Sequence, residues 1–220
     1  MARNKYPEET VNLILNTAAR LFMEKGYDRT SLQDIIDETK LSKGAIYHHF
    51  ISKEDIFDKI CQRIGTENSE RLAAVRDDNS LNGLEKLRQI FRSSMLHPNQ
   101  EKIAEIVPCL LDNPRLLAIH VRTQFEEVAP NFIAPIIREG IADGSIKAEN
   151  PDQLAEAIMI LSDVWLNPAV RHTSGEDTSR RCEVFRSMTR ALGLDFLDDD
   201  VVQAYVDYSD AVSGNQSNKQ

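Results

Sequence analysis

Cysteine is scarce in this chain and poorly placed for chemistry. There are three (Cys61, Cys109 and Cys182), far apart and without a C-x-x-C pair. That argues against both a disulfide framework and a zinc knuckle. Long apolar runs are missing too: none reaches the roughly 18 residues that a membrane-spanning helix needs. The opening stretch from Met1 to Pro7 is polar and lacks the apolar centre of a signal peptide, so the expectation is a cytoplasmic protein with no membrane partner. Eight prolines, nine glycines and few long polar runs in 220 residues argue against disorder over most of the length. No stretch alternates apolar and polar residues as a half-buried strand would, and no repeat recurs at a solenoid period. G-x-S-x-G, H-E-x-x-H, the phosphate-binding P-loop and the dinucleotide glycine pattern are all absent, so nothing points to an enzyme, a metal or a cofactor.

An excess of positive charge is also lacking. The net charge is -9, which taken alone argues against a nucleic-acid partner, because a phosphate binder needs a basic face. The imbalance is regional. Residues 1–60 hold 9 basic and 10 acidic residues, a net of -1, and the acid excess of -8 lies in residues 61–220. The N-terminal part is close enough to neutral to present one basic face.

What is present reads as helix almost throughout. With 41% hydrophobic residues, 220 residues can form one large domain or two small ones around a sizeable core. Val11, Ile14, Ala18, Leu21 and Phe22 recur at helical spacing and Gly26 stops them, which predicts a helix over about residues 8–25. Thr30 with Gln33 reads as a capping box for a short second helix carrying Leu32, Ile35 and Ile36. Ser42 reads as the N-cap of a third, with Ile46, Tyr47 and Phe50. Ser52 with Asp55 starts a fourth that runs to about Arg76. Further on, Leu84, Leu87 and Phe91 share a face, and Ile103, Ile106 and Leu110 mark another segment that ends near Pro114. Residues 116–142 are helical in character, with a break or kink expected at Pro130 and Pro135. Asp143-Gly144 is a turn signal. Leu154, Ile158, Leu161 and Trp165 line one helix side, and Phe185, Met188 and Leu192 line the next. Asp198 to Asp200 read as the acidic start of a final helix through Val212.

Three short N-terminal helices, the second and third joined by Lys40-Leu41-Ser42, have helix-turn-helix arithmetic: one helix crosses the DNA backbone and the next lies in the major groove. Ile35, Ile36, Leu41, Ile46 and Phe50 are apolar where these helices pack on the first. The outer set has a chemistry for each member. Lys43 pairs with a phosphate or reaches a guanine edge. Gly44 lets the helix start approach the duplex, where backbone N–H groups also meet phosphate. Ala45 is short enough to touch a base edge or a thymine methyl. Tyr47 and His48 read as phosphate donors, and Thr30 and Lys53 as phosphate clamps on either side. His48-His49 is a weak metal motif, since helical neighbours point about 100° apart.

The stretch Thr30–Phe57, TSLQDIIDETKLSKGAIYHHFISKEDIF, resembles the TetR family of bacterial transcriptional regulators. The block from Ser42 to Phe50 followed by Ser52-Lys53-Glu54-Asp55 is its most specific part, and the likeness covers residues 7–67. It implies an all-α protein: a helix-turn-helix DNA-binding domain over residues 1–50 (motif 31–50), a helical ligand-binding and dimerisation domain over 51–213, and a tail over 214–220. It implies a homodimer on a palindromic double-stranded DNA operator, most often a repressor, released by a small-molecule effector. The family's pocket region contains Met95, His97, Cys109, His120, Phe125 and Phe132. Helices around 152–172 and 177–192 are the expected four-helix dimer interface, through Leu154, Ile158, Leu161, Trp165, Phe185, Met188 and Leu192. The family commonly has Ala-Gly where Thr39-Lys40 stands here, so Lys40 is expected to take a left-handed backbone. Two alternatives stay open: a ligand-binding or protein-interaction module that keeps the helix-turn-helix as scaffold, and an activator or architectural regulator.

Overall fold

The computed structural model describes residues 7–95, 114–168, 170 and 173–217. Among these, every regular element is a helix. The chain forms two compact units, Met1–Asn68 and Ser69–Gln220.

The first unit opens with α1 (Pro7–Lys25), which has Glu8 and Glu9 in its first turn and Lys25 in its last, charges that complement the helix dipole. Ile14, Ala18, Leu21 and Phe22 are buried, as their spacing predicts; Leu15 joins them, and Val11 is only half-buried. Gly26 ends the helix at φ 85°, a left-handed value that costs glycine nothing. Then come α2 (Leu32–Thr39), α3 (Lys43–His49) and the start of α4 (Lys53–Arg76). Ile35, Ile46, Phe50, Ile56, Phe57 and Ile60 complete the core, with Ile36 and Leu41 half-buried at its edge. Phe22, Tyr27 and Phe57 stack as a ring trio with centroids 5.0–5.5 Å apart, a favourable aromatic spacing.

The second unit begins within α4. Asn82 and Glu85 exchange side-chain-to-backbone bonds of 3.0 and 2.9 Å, a capping box that starts α5 (Gly83–Met95). A long helical stretch follows: α6 (Pro114–Thr123), a π-helical segment Gln124–Ile133, and α7 (Ala134–Asp143). A break or kink was expected at Pro130 and Pro135. The chain instead stays helical by widening to an i→i+5 ladder, in which the Ala134 amide donates to Ala129. The wider turn makes room for the Pro130 ring where an α-turn would clash. Gly144 closes α7 at φ 82°, as its turn signal suggested.

Next are α8 (Pro151–Ile160), a second π segment Leu161–Trp165, α9 (Gly175–Ala191) and α10 (Asp199–Ser217). Asp198 caps α10 by accepting the Val201 amide at 2.9 Å. The stretch from Gly214, expected as a polar tail, enters the last turn of this helix. The core gathers Leu87, Ile90 and Phe91 from α5, Val128 to Ile137 from the π–α7 stretch, and Phe185, Phe196 and Tyr205 from the C-terminal part. Thr178 donates to Ser209 at 2.9 Å and Ser209 to the Thr173 carbonyl at 2.6 Å, so this buried polar chain between α9 and α10 is satisfied. No helix among the described residues is long and apolar enough to cross a membrane.

Candidate nucleic-acid interface

The turn between α2 and α3 fixes what α3 shows to solvent. Lys40 has φ 58° and ψ 16°, the left-handed conformation expected from the glycine it replaces. Ser42 then caps α3 by accepting the Ala45 amide at 3.2 Å, and Ile46 is driven into the core with no exposure at all. With one side of a seven-residue helix anchored in this way, Lys43, Gly44, Tyr47 and His48 face outward and Ala45 is half-exposed. The α3 sequence holds no acidic residue. Lys43 has no ion-pair partner among the described residues; its ammonium lies 5.6 Å from the Tyr47 ring centroid. The His48 and His49 rings meet edge to face at 4.9 Å.

Acidic side chains nearby are engaged elsewhere. Glu38 pairs with Arg20 at 2.5 Å and Asp34 with Lys25 at 2.8 Å. The Lys25 ammonium and the Ser31 hydroxyl together hold the Asp34 carboxyl well below the usual range.

Two of the residues expected at phosphates are turned inward. Thr30 is 1% exposed, and its hydroxyl donates to the carbonyls of Leu21 and Gly26, tying the end of α1 to the start of α2. The capping box lies one residue later than expected. Ser31 is the N-cap and Asp34 the reciprocating residue, with Asp in place of the Glu or Gln of the usual pattern. Ser-x-x-Asp at 31–34 was the available signal, and it leaves Ser31 exposed beside α3's unit. Lys53 donates to the Tyr27 carbonyl at 2.8 Å and sits 4.2 Å over the Tyr27 ring. Burial, with Glu54 beside it, pushes the Tyr27 phenol up to about 12. Sequence reading passed over Ile51, which follows the YHHF block and is 81% exposed.

Residues expected around a ligand pocket are dispersed. His97 and Cys109 lie outside the described residues. Met95 is half-buried against the core, Phe132 is buried, and Phe125 faces solvent. His120 is half-buried with its Nε2 2.5 Å from Asp163 Oδ2. Of the residues expected at a dimer interface, Ile158 and Phe185 are buried within the chain's own core, and Leu154, Leu161 and Trp165 are half-buried. Met188 and Leu192 are exposed, and they share a four-residue spacing with Val184, which is 51% exposed. The outward stripe of α9 is therefore Val184, Met188 and Leu192, one residue off the stripe drawn through Phe185.

Comparison with known proteins agrees with this geometry. Residues 14–60 match the pattern described as bacterial regulatory proteins, tetR family. The biofilm operon icaADBC HTH-type negative transcriptional regulator IcaR of Staphylococcus epidermidis is 25% identical over 153 residues, covering 69% of this chain and 80% of that protein. A crystal structure of a TetR-family transcriptional regulator from Pectobacterium atrosepticum matches with a TM-score of 0.64 and 26% identity, over 88% of this chain and 98% of that one. A SmeT–triclosan complex shares the fold at a TM-score of 0.64 and 21% identity, over 88% of this chain and 94% of that one. Over residues 14–60, which include the capped, outward-facing α3, this chain carries the pattern of the tetR family, and along more of its length it is similar to DNA-binding transcriptional regulators.

Proposed function

We propose that the protein is a ligand-responsive repressor that binds a palindromic operator as a homodimer. The observation that carries the reading is the outward face of α3, where Lys43 has no ion-pair partner among the described residues and stands beside Gly44, Tyr47 and His48. In this arrangement Lys43 neutralises a phosphate or reads a guanine, Tyr47 and His48 donate to phosphates, and Gly44 permits close approach. Thr30 and Lys53 support the motif from inside. The IcaR relative, a negative regulator, supports repression.

The Val184–Met188–Leu192 stripe supports dimerisation. Three large apolar side chains on one helix face in water favour a partner, and a second copy presents the same stripe. Two recognition helices about 34–36 Å apart then enter successive major grooves. An effector site in the second unit is supported by the SmeT–triclosan relative. It is also supported by Gln124, which is 8% exposed and whose Oε1 has no partner among the described residues, leaving an acceptor for a donor group. The ligand releases DNA only to the extent that it binds the released state better.

The test is selection of duplexes from a random library by the full chain, followed by sedimentation of the complex. An inverted-repeat site occupied by two or four copies is the expected result. A monomer in solution, or no enrichment over non-specific binding, overturns the proposal.

A further inference from the structure

Gln124 opens the first π segment and is buried, yet its Oε1 has no donor among the described residues. A buried acceptor without a donor is costly, so this one calls for a group outside the chain: an ordered water or a ligand. The side chains around it favour the ligand. His120, Gln124, Val128 and Phe132 recur at four-residue intervals, which puts them on one side of the continuous helical stretch. That side changes character along its length. His120 is half-buried, with its Nε2 2.5 Å from Asp163 of the second π segment, while Val128 and Phe132 are buried and apolar. With Nε2 engaged, Nδ1 is the ring's other hydrogen-bonding atom. The bond to Asp163, against the effect of burial, raises the imidazole pKa, and the carboxylate beside the ring matches the charge it takes up. A buried water needs about two to four polar partners, whereas here polar groups give way to apolar ones within a turn.

We infer that Gln124 and His120 form the polar end of a ligand site within the second unit, and that its occupant is an uncharged, mostly apolar small molecule whose hydroxyl donates to Gln124 Oε1. The inference rests on the effector half of the reading above and adds the chemical class of the effector. Each part of that class answers one observation. The O–H supplies the hydrogen that Oε1 lacks, and its oxygen accepts from His120 Nδ1, one helical turn away. The absence of charge follows from the His120–Asp163 pair. A carboxylate would lie beside Asp163 and an ammonium beside the protonated ring, so either charge gains little where the two already cancel. The apolar body follows from Val128 and Phe132, which continue the same side away from the polar end. A π turn is an uncommon ladder that recurs at functional places, and Gln124 is the first residue of this one.

The test uses the full-length chain and Gln124→Leu. The probes are octanol, decanol and thymol, each beside its methyl ether, with octanoate as the charged control. Leucine fills a similar volume and carries no acceptor, so the melting temperature of the variant without ligand is expected to hold or rise. Binding is read by titration calorimetry in the absence of DNA. In the wild type at least one hydroxyl probe is expected to bind about tenfold tighter than its ether, the scale of one hydrogen bond, and octanol to bind tighter than octanoate. In Gln124→Leu the preference for the hydroxyl disappears while the ethers bind as before. Ethers that bind as well as their parents, a preference that survives in Gln124→Leu, tighter binding of octanoate, or no binding of any probe overturns the inference. A lower melting temperature of Gln124→Leu also overturns it, because Oε1 then holds a structural water. The two readings fail separately. A bound alcohol that leaves operator affinity unchanged strikes the effector role and leaves the site standing, whereas a wild type that selects no duplex strikes the repressor reading and leaves the site to the calorimetry.

Discussion

His120 Nε2 lies 2.5 Å from the Asp163 carboxylate, joining α6 to the second π segment. The hydrogen bond that His120 donates to Asp163, against the opposing effect of burial, raises the imidazole above its ordinary 6.5. A folded-state value above the unfolded one means stabilisation that is complete below about 6.5 and is lost as pH rises through the folded value. His120→Gln should therefore lower the melting temperature at pH 5.5 and do so much less at pH 9. The check is thermal unfolding of both proteins across that range. An equal loss at both pH values would show that the pair does not depend on the imidazolium.

The left-handed Lys40 makes a second expectation. A non-glycine residue at φ 58° is strained by its Cβ, whereas glycine is not. Lys40→Gly should stabilise the first unit by about 0.5–1 kcal/mol, after the greater unfolded-state freedom of glycine is set against the relieved strain. Calorimetry on the full chain tests this through its first transition, and a lower midpoint would sink it.

The helix-turn-helix was legible because local rules and core demands coincide there. Ile35, Ile46 and Phe50 are spaced for burial, and Ser42 and Ser52 are caps that need nothing from afar. Thr30 was misread because a threonine beside a serine offers two capping positions, and only the buried carbonyls of Leu21 and Gly26 choose between them. In the second unit, local rules stop deciding. Pro130 signals a break in any sequence window, yet packing against α8 and the widened ladder keep the helix whole. Phe185 and Val184 are neighbours of similar hydrophobicity, and which of them faces out is settled by Phe196 packing 6.1 Å from the Phe185 ring.

Gly83 and Gly140 illustrate a contact of that long-range kind. A Cβ on Gly83 would stand 2.3 Å from the Gly140 amide nitrogen, so the start of α5 touches the backbone of α7 directly. The contact lets Asp143 accept the Gly83 amide at 2.9 Å and Ser145 accept the Leu84 amide at 3.2 Å, which satisfies two first-turn donors. Gly83→Ala should cost about 2–4 kcal/mol, since backbone rather than a flexible side chain must yield. Denaturant unfolding would show it as a lower midpoint at constant slope, and a loss within about 0.5 kcal/mol would mean that the helices separate easily.

Lys43 and Gly44 separate a DNA-facing surface from an ordinary solvated one. Lys43→Ala should weaken operator binding and reduce the salt slope by about one. A slope that stays put while base preference changes would make Lys43 a base reader. Gly44 is the sharper case. A Cβ there meets nothing within 4 Å, so Gly44→Ala should raise stability by about 0.5–1 kcal/mol through helix propensity alone. If the duplex packs against this position, the same methyl must lower operator affinity, giving a variant that is more stable and binds worse. A variant that is more stable and binds equally well would place Gly44 away from the DNA and leave Tyr47 and His48 to make the close contact.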